Sequence, residues 1–197
     1  CRPLIDHSKD FIIKDGRHSV VEKTIFKKSL NAFVPNDCSL STNEHLWLIT
    51  GPNMAGKSTF LRQNAHIIIL AQIGSYVPAK QAKIGIANKL FSRIGASDNI
   101  SKGQSTFMVE MLETSNIIKN ADDKSFIILD EIGRGTSTFD GLAIAWAIIE
   151  KVLRSNKSRT LFATHYHELT EIEKTNHKVR NVSCEIKEWN DEIIYSY

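Results

Sequence analysis

The stretch HLWLIT (45–50) stops at Gly51, and GPNMAGKS (51–58) follows before an apolar helical pattern begins. Few sequence features restrict a fold more. A short buried-type strand must enter a glycine-rich loop, and a helix must leave it. The spacing from Gly51 to Ser58 is G-x-x-x-x-G-K-[ST]. Glycines at its two ends let the backbone curl so that successive N–H groups converge on one point, and the helix N-terminus adds its positive end there. Such a cradle suits phosphate oxygens. Lys57 is long enough to reach the outer phosphates, and the Ser58 hydroxyl can hold Mg²⁺. The alternative is a glycine-rich turn that only joins strand to helix.

The remaining pattern agrees with an α/β chain. The stretch from Ser58 to about Ile73 is helical and apolar on most sides, so that helix is expected to be buried. KIGIANKLFSRIG (83–95) suggests two short strands, and residues 95–104 read as a polar loop. Phe107, Met108, Met111 and Leu112 recur at helical spacing from Ser105 to about Ile118. SFIILD (125–130) and RTLFAT (159–164) are further buried-type strands. Phe139, Leu142, Trp146, Ile149 and Leu153 predict one face of a helix between them. NVSCEIKEW (181–189) alternates, which predicts an antiparallel edge strand. Residues 1–45 read as mixed and strand-like, with a break at Asp15-Gly16. Apolar strands alternating with helices imply a mostly parallel sheet covered on both faces, with an antiparallel N-terminal and edge portion.

Two carboxylates, Asp130 and Glu131, close the strand at 125–130. Neighbouring residues of a strand point to opposite sides, so the pair is expected to divide its work. Asp130 suits the Mg²⁺ shell, usually through water. Glu131 suits the water that attacks a terminal phosphate. A pair of solvated charges at a strand end is the alternative. In IGRGTSTFDG (132–141), Ser137 and Asp140 fit a capping pattern that opens the next helix, and Arg134 sits on an exposed glycine-flanked turn. His165 follows the third strand, at the end where ligands bind in such sheets.

This order of motifs is similar to that of ATP-binding-cassette ATPases, and ISKGQ (100–104) resembles their signature turn. TGPNMAGKST, STFMVEM, DEIGRGTSTFDGLAIAWA and FATHYHEL together resemble, more narrowly, the ATPase domain of the MutS family of DNA mismatch-recognition proteins. The likeness spans about residues 15–183, with Ser19 where that family usually has proline. It implies a single P-loop domain over 1–197, with residues 1–45 as an entry and adenine-side segment and 46–197 as the core. It implies ATP or ADP bound by Gly51, Pro52, Asn53, Met54, Ala55, Gly56, Lys57, Ser58 and Thr59, with Phe33 stacked on adenine. Ser58 and Asp130 would support Mg²⁺, Glu131 would direct the water, and His165 would read the γ-phosphate. Ser105 would act in trans on the nucleotide of a second copy, so a homodimer is expected. Mismatched DNA, met through domains absent here, and a MutL-type protein are the other expected partners, in a bacterial cytoplasm. A transporter-type nucleotide-binding subunit and a non-hydrolysing nucleotide module are the rival readings.

Composition adds bounds. Residues are 42% hydrophobic and 24% charged, and the net charge of +3 is too mild to argue for nucleic acid by itself. Cys1, Cys38 and Cys184 are widely spaced and predict free thiols. The densest apolar run, 67–71, is far short of the roughly 20 residues of a membrane span. The chain begins with Cys1 rather than Met and is expected to be a piece of a longer one.

Overall fold

A computed structural model describes residues 1–28, 33–52, 55–95, 106–189 and 192–196. Among the described residues the strands form three sheets. The central one is all-parallel and contains β4 (Leu46–Thr50), β6 (Leu90–Arg93), β7 (Phe126–Asp130), β8 (Arg159–Ala163) and β9 (Val179–Ser183) in the order β6-β7-β8-β4-β9. A mixed sheet combines β1 (Leu4–Asp6), β2 (Phe11–Gly16), β3 (Asn36–Leu40) and β5 (Gln81–Gly85) in the order β1-β5-β2-β3. A hairpin of β10 (Glu185–Trp189) and β11 (Glu192–Ser196) makes the third. The helices are α1 (Ser19–Lys28), α2 (Lys57–Gln72), α3 (Thr106–Asn120), α4 (Thr138–Lys151) and α5 (Glu171–Thr175).

The parallel sheet is buried on both faces, and its strands sort their side chains accordingly. Trp47, Ile49, Phe126, Ile128, Leu161 and Ala163 pack in one core with Phe60, Leu61 and Ile68 of α2. Leu46, Leu48, Ile127, Leu129 and Phe162 pack in the other with Ala145, Ile149 and Val152. Continuous apolar runs are what strands covered on both sides require. No helix among the described residues is long and apolar enough to cross a membrane.

Some elements differ from the sequence expectation. Residues 19–28 form a helix within the segment read as strand-like. The stretch 181–189 is divided. Its first part belongs to β9, which lies on the sheet edge but runs parallel to β4, and its second part is β10, which pairs antiparallel with β11. The predicted helical face from Phe139 to Leu153 holds in part: Ile149 and Leu153 are buried and Leu142 packs against the same core. Phe139 is 84% exposed and Trp146 lies at the surface, while Gly141, Ala145, Ile148 and Ile149 are buried. Gly141 permits a close approach at the start of the helix, since a Cβ there would lie 2.4 Å from the Gly133 carbonyl oxygen. On α3, Met108 and Leu112 are exposed, whereas Glu110, Thr114 and Ile117 are buried.

Arg159 joins the two larger sheets. It stands on β8 and is 1% exposed. Its guanidinium donates to the carbonyls of Gly85 at 2.7 Å, Ile86 at 3.2 Å and Lys124 at 3.1 Å, and it lies 5.9 Å from the Phe126 ring centroid. A planar fork of donors serves several carbonyls at once. Arg159→Leu should therefore lower stability by about 3 kcal/mol or more, because buried acceptors lose their donor together. A urea titration checks this, and a loss under about 1 kcal/mol would refute the joint.

Candidate functional site

Register brings the strand ends that carry the candidate residues level with one another. Asp130 of β7 pairs with Ala163 of β8, Ala163 with Ile49 of β4, and Ile49 with Val182 of β9. Gly51, Glu131, Thr164 and Cys184 lie just beyond, at the carboxyl ends of their strands. In open α/β sheets this is where ligands bind.

The loop between β4 and α2 is held from below. The Cys184 N–H donates to the Thr50 carbonyl at 2.9 Å. Gly51 has φ 135°, and a Cβ there would sit 2.6 Å from the Cys184 carbonyl oxygen. Only glycine fits that backbone and that approach. Ala55 is fully buried, Gly56 caps α2, and Thr59 is half-buried in its first turn. Pro52 is exposed. Asn53 and Met54 lie outside the described residues.

Lys57 is 5% exposed, and its ammonium is turned onto its own loop. It donates to the Gly51 carbonyl at 2.6 Å and the Pro52 carbonyl at 3.0 Å, and lies 3.9 Å from Glu131 Oε1. A buried ammonium needs such partners. Ser58 Oγ donates to Asp130 Oδ2 at 2.6 Å, which ties the start of α2 to the end of β7. Burial pushes the Asp130 carboxyl above its ordinary value, against the opposing pull of the Ser58 hydrogen bond. Its Oδ1 is buried without a hydrogen-bond partner among the described residues. A carboxylate with one oxygen unpaired, beside a serine hydroxyl, fits Mg²⁺, which takes one or two carboxylates and fills the rest of its shell with water and phosphate.

Glu131 lies beyond β7 rather than on it. Its φ of 52° is left-handed, and its N–H donates to the Ala163 carbonyl at 2.9 Å. The sequence argument from strand alternation is corrected here: the backbone turn separates the two carboxylates. Besides Lys57, Glu131 pairs with the exposed Arg134 at 2.5 Å. Ser137 caps α4 as expected, accepting the Asp140 N–H at 3.3 Å. His165 is exposed two residues past β8, and its ring centroid lies 4.1 Å from that of Tyr166. Phe33 is half-buried on the segment leading to β3.

The structure thus brings Gly51, Lys57, Ser58, Asp130 and Glu131 together. Ser105 and the signature-like turn 100–104 lie outside the described residues. Sequence reasoning missed Cys184, which meets Thr50 and Gly51 through backbone groups, and Glu110 and Tyr166, which hydrogen-bond to the backbone of Gly133; none belongs to a spaced motif.

A family model described as MutS domain V matches residues 47–197. The chain belongs to the MutS family. It is 56% identical over 196 residues to the DNA mismatch repair protein MutS of Ruegeria sp. (strain TM1040), covering 98% of this chain and 22% of that protein. It is also 56% identical over 197 residues to the MutS of Thermodesulfovibrio yellowstonii, covering 98% of this chain and 23% of that relative. MutS of Ruegeria pomeroyi matches at the same identity over 99% of the chain and 22% of its own length. The chain therefore spans less than a quarter of these curated MutS relatives.

All three cysteines are free, with Cys1 exposed and Cys38 and Cys184 buried. Burial pushes the Cys184 thiol up to about 11 and raises Cys38 as well. The thiolate is the reactive form. At pH 7.5 (about a unit below an ordinary thiol) a maleimide should modify Cys1 alone in the native protein and all three after unfolding. Mass spectrometry of the peptides checks this, and rapid native labelling of Cys184 would contradict its packing under the loop.

Proposed function

We propose that this MutS-family domain binds Mg-ATP and hydrolyses it, and that the cycle drives the DNA-bound states of a mismatch-repair protein. The observation that carries the reading is the meeting of Lys57, Ser58, Asp130 and Glu131 at the ends of β4 and β7. Family membership weighs against the transporter-type alternative. A turnover assay separates the ATPase from a non-hydrolysing module.

In this reading Lys57 leaves the Gly51 and Pro52 carbonyls and takes up β- and γ-phosphate oxygens, exchanging neutral acceptors for charged ones. The loop N–H groups and the start of α2 hold the remaining phosphate charge. Ser58 and Asp130 would hold Mg²⁺, directly and through water. Bound Mg²⁺ supplies charge neutralisation at the phosphates. Glu131 orients the attacking water and receives its proton, and His165 donates to the γ-phosphate. Phe33 stacks on the adenine. Ser105 acts on the nucleotide of a second copy, which makes the working unit a dimer. A cytoplasmic setting, DNA contact through other domains and a MutL-type partner complete the proposal.

Two substitutions test the chemistry. Lys57→Ala should weaken ATP binding by on the order of 10-fold or more and abolish turnover. Glu131→Gln should leave ATP binding intact while turnover falls by on the order of 10²-fold or more. Unchanged binding and hydrolysis in Lys57→Ala would end the nucleotide reading. Loss of binding in Glu131→Gln would move that residue to folding or metal ligation.

Mixing tests the dimer. In a full-length protein, Ser105→Ala and Lys57→Ala subunits should complement, because the mixed dimer has one intact composite site and one carrying both lesions. If Ser105 acts within its own chain, every site carries one lesion and steady-state ATPase stays at the level of the single variants.

A further inference from the structure

Glu110 is a carboxylate 7% exposed on α3, a position where a helix packing against a core would ordinarily place an apolar side chain. Its Oε1 accepts the Gly133 N–H at 2.6 Å. The carbonyl of the same Gly133 accepts the Tyr166 hydroxyl at 3.0 Å. Tyr166 is itself buried, its N–H donates to Thr164 Oγ1 at 3.0 Å, and its ring meets that of His165. One residue thus has its donor held from α3 and its acceptor held from the loop after β8. It lies two positions past Glu131.

The fit allows little slack. Gly133 has φ 89°, and a Cβ on it would lie 2.7 Å from the Gly141 Cα. On Gly141, a Cβ would lie 2.4 Å from the Gly133 carbonyl oxygen and closer still to the Tyr166 hydroxyl. Phe107 of α3 closes on the same turn, since a Cβ on Gly135 would stand 3.0 Å from the Phe107 Cβ. Arg93, at the end of β6, anchors α3 through Glu113 at 2.9 Å. Burying a carboxylate is costly, and one backbone N–H returns only part of that cost. Packing alone would be served better by leucine.

We propose that Glu110 and Tyr166 are positioning residues that clamp Gly133 from opposite sides and thereby set Glu131 and His165 in register with each other. The clamp rests on the ATPase reading given above and adds a route to it. Because α3 begins at Thr106, next to Ser105, a displacement of that helix is passed through Glu110 to the turn that carries Glu131. Engagement of α3 by a second copy is then felt at the water-directing carboxylate of its own chain.

The test uses the full-length protein with Glu110→Ala, Glu110→Gln, Tyr166→Phe and the Ala/Phe double variant. Glu110→Ala should lower kcat for ATP by on the order of 10-fold or more, with KM and nucleotide affinity within about threefold, because a misplaced group costs rate rather than ground-state binding. Glu110→Gln keeps an acceptor and should recover most of the loss. The double variant should be no more than about threefold worse than the poorer single one, since both act on one peptide. Hydrogen exchange in a peptide covering 131–137 should quicken in Glu110→Ala and Tyr166→Phe.

An unaltered kcat in Glu110→Ala overturns the clamp. So does Glu110→Gln as impaired as Glu110→Ala, a multiplicative double variant, or a parallel collapse of affinity and melting temperature. Lys57→Ala in the same assay keeps the two readings apart. If it loses binding and turnover while Glu110→Ala loses neither, only the clamp fails. If Lys57→Ala is normal, the ATPase reading fails first.

Discussion

Ser58 and Asp130 are 72 residues apart in the chain, and a hydrogen bond of 2.6 Å joins their side chains. That contact demands much of the fold. α2 must start over the end of β7, although its own strand is β4 and β8 lies between the two. Only a parallel sheet with matched strand ends delivers this, and the register does so, with Asp130, Ala163 and Ile49 level with one another. Both ends of the glycine loop are tied, at Thr50 by Cys184 just past β9 and at Ser58 by Asp130 of β7. A hydroxyl in this place also keeps the Asp130 carboxylate paired on one oxygen despite its burial, while the other has no hydrogen-bond partner among the described residues.

Lys57 shows how the loop solves the problem of a buried charge. The ammonium takes two carbonyls of its own loop and stands near Glu131. These partners are adequate, but two of the three are neutral, so a polyphosphate competes well for the same group. Glu131 is likewise engaged by Arg134, which is 62% exposed and therefore worth little as an ion pair in water. In the proposed cycle both groups would exchange these contacts for the charged nucleotide.

How much of this the sequence disclosed depended on the kind of signal. β4, β7 and β8 were legible because strands buried on both faces read as unbroken apolar runs, and the loop was legible because its glycine and lysine spacing has few other uses. Ser137 and Asp140 were legible for the same local reason. α1 was not, since its apolar Val20 and Phe26 are exposed and trace no buried stripe. The inner face of α4 was read only in part: Leu142, Ile149 and Leu153 do face the core, but Gly141 and Ala145 carry little hydrophobic signal while the exposed Phe139 and Trp146 carry much. Glu110 was missed for a related reason. A lone glutamate in a helix looks like surface, and its partner is a backbone amide that no side-chain pattern marks.

The backbone at Glu131 supplies independent support for the proposed role of that residue. Among the described residues, three that are not glycine have positive φ: Asp15, Glu131 and Lys157. Two have local explanations. Asp15 lies in the irregular pairing between Ile13 and Gly16, with its N–H held by Asp37 at 2.9 Å. Lys157 closes a helical end, its N–H donating to the Val152 carbonyl at 2.7 Å. Glu131 caps no helix and sits at no bulge. A left-handed glutamate costs on the order of 1 kcal/mol or more and persists only where the surroundings overdetermine it. Here they do so through Ala163 below, Lys57 and Arg134 on its carboxylate, and the doubly held Gly133 two residues on. The conformation aims the carboxylate at Lys57 instead of continuing β7, so the strain falls on the residue whose direction the proposed chemistry depends on.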